Sequence, residues 1–280
     1  MRVHHLNCGT MRPFGGRLGD GEPGWLRRFR MVCHCLLIET EAGLVLVDTG
    51  LGTDDVRAPA ASLPLRFRSL VRPVLDPAET AAEQVLRLGY SLRDVRHVIP
   101  THLDLDHVGG LRDFPWARVH VHAEELRNAT AQATAADRER FRPVQWTGAD
   151  WSPYASGGEE WLGFRAVRNL PGLPAEIVVV PLAGHTLGHV GVAVNVGGTG
   201  RGWLLHCGDA YFHHGEVDPP TPHCPPLIRA FERVTDTDRR TRLANQERLA
   251  SLARDHGDRV ELFSAHDPVE LDRHQRSPSA

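Results

Sequence analysis

Short apolar runs, separated by stretches rich in glycine and proline, set the rhythm of this chain. Residues 1–8 read as a first strand. Met31 to Glu39 and Gly43-Leu44-Val45-Leu46-Val47 read as a hairpin of two buried strands, since runs this short with no polar alternation suit strands covered on both faces. Further strands are expected at His97-Val98-Ile99, at the alternating Arg118-Val119-His120-Val121-His122, and at residues 176–182, 190–196, 203–205 and 259–263. Helices are expected over 78–89, 123–140, 226–233 and 238–255. The first has Pro77 before it, Glu79 and Glu83 in its opening turns and Gly89 at its end. Residues 9–30 and 210–225 read as loops, 141–175 as a Trp-, Pro- and Gly-rich aromatic segment, and 51–77 as a surface excursion or flap. The tail from 271 reads as frayed.

Several apolar runs end the same way, in a small residue and then a ligand-type side chain. This gives Asp48, His185, Asp209 and His266. The run before Pro100 ends in Thr101-His102-Leu103-Asp104-Leu105-Asp106-His107-Val108-Gly109-Gly110, which sets two imidazoles and two carboxylates within six residues. In an extended loop His102, Asp104 and Asp106 share a side and His107 diverges, an arrangement suited to two adjacent metal ions. A polar surface loop is the plainer reading, and the density of ligand-type side chains argues against it. Ligand sites in α/β proteins gather where strands end, because the loops there converge from a rigid sheet.

These motifs resemble the metallo-β-lactamase superfamily. The central stretch resembles its His-x-His-x-Asp-His signature, with Asp104 where the second histidine is usual. Leu46-Val47-Asp48-Thr49-Gly50 resembles its early Asp-containing turn, Gly184-His185-Thr186-Leu187-Gly188-His189 its Gly-His-Thr-x-Gly-His motif, Cys207-Gly208-Asp209 its Gly-Asp motif and Ala265-His266-Asp267 its terminal histidine. The resemblance spans about residues 31–267. It implies an α/β fold, an αβ/βα four-layer sandwich of two mixed β-sheets flanked by helices, in a single domain over 1–280. It also implies a ligand set. His102, Asp104 and His185 would hold a first divalent metal; Asp106, His107 and His266 would hold a second; Asp209 would bridge them. Asp48 would orient a ligand, and His189 would pack or support rather than bind.

Asp104 makes such a site one charge less positive than a histidine would. An oxygen ligand also moves preference from zinc, the first expectation, toward manganese or iron. Alternatively Asp104 is too short to reach, and one metal is weakly held.

Composition adds mainly exclusions. A formal charge of −3 and a pI near 6.6 give no general attraction to nucleic acid or to anionic membrane. No apolar run approaches the roughly 20 residues of a membrane span. All 32 basic side chains are arginine, which reads as coding bias. Five cysteines, an odd number with only Cys33 and Cys35 close together, suggest reduced thiols and a cytoplasmic protein. Cys33 and Cys35 read as packing residues before ligands, and His120 and His122 as ordinary strand histidines. The aromatic segment 141–164 could be core or pocket lining; it and 51–77 are also candidates for a homodimer surface.

The resemblance implies a metal-dependent hydrolase acting on a small-molecule ester, lactone or thioester carbonyl. Asp106 or Asp209 would orient water and move its proton, and Tyr211 would either donate to the substrate oxygen or simply pack. Lactones and esters come first, then thioesters, then β-lactams. The competing readings are a metal-binding scaffold without catalysis and a diiron-type oxidoreductase.

Overall fold

The computed structural model describes residues 1–165, 170–197, 202–218 and 222–276. The first sheet runs, in spatial order, β1 (Val3–Met11), β2 (Met31–Thr40), β3 (Gly43–Val47), β4 (Val95–Ile99), β5 (Arg118–His122) and β6 (Asp150–Tyr154). The β1–β2 and β2–β3 pairs are antiparallel and the rest parallel. A small hairpin, β7 (Glu160–Trp161) and β8 (Phe164–Arg165), follows. The second sheet comprises β9 (Ile177–Pro181), β10 (Val190–Asn195), β11 (Trp203–His206) and β12 (Val260–Phe263), ordered β12-β11-β10-β9. Only its β11–β12 pair is parallel.

Alternation within β2 explains the layering. Leu36 and Ile38 face the second sheet and pack with Val45, Val47, Val179, Val192 and Phe263. Leu37, one residue out of phase, joins Leu46, Val98, Val85, Ala129 and Phe141 beneath the helices on the outer face. Val178, Val180 and Leu205 of the second sheet turn away from the first and bury Leu249 and Leu252 of the Arg239–His256 helix. The result is the expected four-layer sandwich of two mixed sheets between helices. Each fully buried leucine or isoleucine contributes roughly 1.5–3 kcal/mol, so Leu46→Ala would cost about 2–5 kcal/mol.

Two sequence expectations are corrected, and two open readings gain detail. The helix expected over 123–140 breaks at Gln132, which is left-handed at φ 44, giving Ala123–Ala131 and Ala135–Arg140; Thr134 and Asp137 form a capping box on the second. The chain past 271 is not frayed throughout. A helix runs Pro268–Arg276, because Asp267 Oδ1 accepts from the Val269 and Glu270 amides and Leu271 is buried; residues 277–280 lie outside the described residues. The 51–77 stretch carries three short helices, Thr53–Arg57, Pro59–Ser62 and Leu65–Leu70. Of the two readings of the aromatic segment, the core reading holds for Trp146, Trp161 and Phe164, which are buried, and Asp150–Tyr154 forms β6. Residues 166–169 of that segment, and 219–221 of the 210–225 loop, lie outside the described residues.

Candidate metal centre

β3 and β4 are parallel, and β9, β11 and β12 share a direction because β9 and β11 are both antiparallel to β10. The loops leaving these five strands carry Asp48, His102–His107, His185, Asp209 and His266. Asp209 lies at their meeting point. Its Oδ2 stands 3.2 Å from His185 Nε2 and 3.7 Å from His102 Nε2. Its Oδ1 stands 3.2 Å from His266 Nε2 and 3.3 Å from His107 Nε2. One carboxylate thus divides four imidazoles into two pairs. Asp104 Oδ2 completes the first group, at 3.1 Å from His185 Nε2 and 3.3 Å from His102 Nε2. Asp106 Oδ2 approaches the second, 3.8 Å from His266 Nε2.

The outward faces of the imidazoles fix their tautomers. His107 Nδ1 donates to Asp48 Oδ2 at 2.9 Å, and His266 Nδ1 donates to the Val32 carbonyl at 2.7 Å. Thr101 Oγ1 donates to Asp48 Oδ2 and accepts from His102 Nδ1, each at 2.9 Å. Each of these three rings therefore turns an Nε2 lone pair inward. The Nε2 atoms of His107 and His266 face one another at 3.3 Å. His102 Nε2 and Asp209 Oδ1 are buried with no hydrogen-bond partner. Apart from the Arg140 guanidinium, which reaches Asp104 and His185, imidazole lone pairs here converge on buried carboxylate oxygens, a set suited to cations. Its mixed nitrogen and oxygen character fits two divalent transition ions. Electrostatics agree. Burial disfavours the charged form of Asp209, but His266, His107, His185 and His102 hold it well below the usual carboxylate range. Burial likewise lowers the His107 pKa, and Asp209 and Asp48 outweigh it and push it well above the imidazole range, so without a metal this ring carries the positive charge that a bound ion would replace.

Asp48 itself sits at φ 56, a backbone strain of the kind found at functional sites. His189 holds rather than binds. Its Nδ1 donates to the Leu182 carbonyl at 3.0 Å, and its Nε2 accepts the Asp209 amide at 2.9 Å, so neither nitrogen is free. Gly109 and Gly110 have a packing role: a Cβ on Gly109 would fall 2.1 Å from Asp55 Oδ2, and one on Gly110 3.0 Å from Thr49 Cβ.

Two predicted roles need correction or narrowing. Tyr211 is fully buried in the second core and its hydroxyl donates to Glu270 Oε1 at 2.9 Å. The aromatic ring at the cluster is its neighbour Phe212, stacked on His266 at 5.1 Å and edge-on to His185 at 5.7 Å. Cys33 packs in the core as expected, but its sulfur also groups with Asp106 and His266 within 4.8 Å. Burial first, then the charge of Asp106, raises its thiol well above the ordinary value. His120 pairs with His97, and His122 with Ser156.

Sequence reasoning missed two residues. Glu125 is buried at the start of the Ala123–Ala131 helix. Its Oε1 accepts the Leu103 amide at 2.9 Å and its Oε2 the Gly188 amide at 3.0 Å, tying the two ligand loops together. Arg140 reaches the cluster from the helix after Gln132. Its Nε donates to Asp104 Oδ1 and its Nη2 donates to His185 Nε2 at 2.6 Å. Burial opposes the charge of Asp104, and Arg140, followed by His102 and His185, outweighs it and holds the carboxyl well below its usual range. His185 is pulled down to about 3 by burial and then by Arg140. An acidic residue in a ligand loop calls for a cation, but nothing in the sequence distinguishes Arg140 among 32 arginines.

The fold and this cluster define the class: the chain belongs to the metallo-β-lactamase superfamily, whose family model matches residues 28–250. A protein of Mycobacterium tuberculosis named "Probable metallo-hydrolase" is 42% identical over 270 residues, covering 96% of this chain and 81% of its own length. The N-acyl homoserine lactonase AiiA of Bacillus thuringiensis subsp. kurstaki is 32% identical over 95 residues, 34% of this chain and 38% of its own. Among solved structures, an N-acyl homoserine lactone hydrolase with N-hexanoyl-L-homoserine at its catalytic metal centre superposes with a TM-score of 0.71 at 17% identity. That superposition covers 99% of this chain and 96% of that one.

Proposed function

We propose that the protein is a metal-dependent hydrolase that opens small lactones or esters at a dinuclear centre. The observation that carries this reading is the division of Asp209 between two imidazole pairs, with Oδ2 toward His102 and His185 and Oδ1 toward His107 and His266. His102, Asp104, His185 and Asp209 would hold one ion, and His107, His266 and Asp209 the other, joined by Asp106, which approaches His266 at 3.8 Å. Bound there, two divalent ions supply hydroxide at neutral pH and a Lewis acid for the carbonyl oxygen.

The chain's own residues do the rest. Asp48, Thr101 and the Val32 carbonyl keep three imidazoles in the ligating tautomer. His189 fixes the Asp209 backbone through its amide. Asp106 or Asp209 would take the proton of water and deliver it to the leaving alkoxide, and the greater exposure of Asp106 supports that residue. The proton lost by water is the one the leaving oxygen gains. Phe212 supplies an apolar wall against His185 and His266.

Acyl-homoserine-lactone-type compounds rank first among substrates, supported by the local sequence likeness to a lactonase. Thioesters and β-lactams follow. Zinc is the foremost metal, with manganese or iron as alternatives given the carboxylate-rich set. The five free cysteines support work in a reducing, cytoplasmic setting. No helix among the described residues is long and apolar enough to cross a membrane.

The test is a turnover panel of N-hexanoyl homoserine lactone, a simple ester, a thioester and a β-lactam on metal-loaded protein. Hydrolysis should be lost in both Asp209→Ala and His185→Ala with the circular dichroism spectrum retained. Inertness toward the whole panel would favour the scaffold reading, and bound iron with oxygen uptake would favour the oxidoreductase.

A further inference from the structure

Asp104 and Arg140 have to be considered together. The Asp104 carboxylate is split. Oδ1 accepts from Arg140 Nε, while Oδ2 faces His102, at 3.3 Å, and His185, at 3.1 Å. The guanidinium is itself built in. Nη1 donates to the Thr235 carbonyl at 2.7 Å, at the C-terminal end of the Pro226–Thr235 helix, and lies 3.4 Å from Thr237 Oγ1. Nη2 reaches His185 Nε2 at 2.6 Å, a contact that gives way when that nitrogen takes a metal, leaving the Thr235 and Asp104 contacts to hold the guanidinium. The side chains of Arg140 and Asp104 keep only 17% and 13% of their exposure. A cation so enclosed is stable only while its counter-charge is present.

We propose that Asp104 and Arg140 act as one neutral ligand unit, taking the place of an uncharged imidazole in the first half-site. Asp104 supplies the ligating oxygen through Oδ2. Arg140 positions it through Oδ1 and returns the charge that the carboxylate subtracts. Three carboxylates against two divalent ions leave one positive charge; adding Arg140 makes two, the total for two carboxylates and a histidine with no arginine. The pair therefore leaves the net charge around the bound water unchanged. Arg140 also limits what Asp104 may become. Histidine at 104 would leave the guanidinium unpaired beside His185 and the metal, although histidine would itself be a good zinc ligand. This inference rests on the ligand set proposed above.

The test is a cycle of full-length wild type, Asp104→His, and Asp104→His with Arg140→Gln. Thermal melts of each variant confirm folding, and zinc affinity of the weaker site is measured by chelator competition. Asp104→His alone should lose affinity on the order of tenfold or more, because it leaves a buried cation uncompensated. The double variant should recover to within about threefold of wild type, since a neutral amide then faces a neutral imidazole. Binding by Asp104→His as tight as wild type would overturn the inference, as would a double variant no better than the single one. If either variant fails to fold, Arg140→Lys decides. Keeping the charge but not the fork, it should retain both zinc ions with weakened affinity at one; unchanged affinity at both would overturn the positioning role. A wild type that binds no metal would overturn the ligand set and this inference together. A wild type with two ions and a tight-binding Asp104→His would overturn this inference alone.

Discussion

Asp48 accepts a hydrogen bond from His107 Nδ1 at 2.9 Å, which turns the opposite nitrogen of that ring toward Asp209 as the one a metal would take. The Asp48 carboxylate accepts from three donors. Besides His107 it accepts the Thr101 amide at 2.7 Å and the Thr101 hydroxyl at 2.9 Å. Asparagine has one acceptor oxygen and would point its amino group at a donor. Asp48→Asn should therefore weaken metal binding about 10–100-fold, the usual effect of losing a ligand's hydrogen-bond partner. Chelator competition measures it, and unchanged affinity would remove Asp48 from the account.

Glu125 holds the loops that carry His102 and His185 in register, one carboxylate oxygen on each. In Glu125→Gln one of those backbone amides must face an amino group. The expected loss is about 1–3 kcal/mol of stability, the cost of one buried donor left unpaired. Urea denaturation should show a lower midpoint with an unchanged slope.

Tyr211 lies in the second core with its hydroxyl committed to Glu270. Tyr211→Phe should lower stability by about 1–2 kcal/mol by removing one partner of a buried carboxyl. Its kcat/KM should stay within about twofold of wild type. A hundredfold fall in kcat/KM with KM unchanged would return Tyr211 to the reaction.

Glu270 gives the protein a pH dependence of known sign. Burial first, then the charge of Asp267, raises its carboxyl from 4.5 to about 8. Between those values the unfolded chain has released the proton and the folded chain still holds it. Stability contributed by this group is thus fully present below about 4.5 and falls as pH rises toward about 8, at about 1.4 kcal/mol per pH unit. Glu270→Gln can keep partners for Tyr211 and Ser264 without titrating. The melting temperature of wild type should therefore fall relative to that of the variant between about pH 5 and 8. Parallel curves would contradict the assignment.

Strand ends were the legible part of this chain. Asp48, His185, Asp209 and His266 each follow a run of buried apolar residues, so local pattern alone places them at the ends of strands. Side-chain alternation was less forgiving. A step of one residue separates Tyr211, which faces the core, from Phe212, which faces the metal ligands, and pattern could not choose between them. Arg140 was out of reach because it depends on the left-handed turn at Gln132, where propensity favours one continuous helix. Glu125 looked like an ordinary acidic residue in a first helical turn; its partners lie 22 and 63 residues away. The closing helix was missed because Asp267, read only as the neighbour of a ligand, also starts that helix through its side chain.

The most direct test of the dinuclear account is metal stoichiometry, measured by elemental mass spectrometry on full-length protein loaded with zinc and passed through a desalting column. The division of Asp209 between two imidazole pairs predicts close to two ions per chain. One ion or none, with the protein folded, would contradict it.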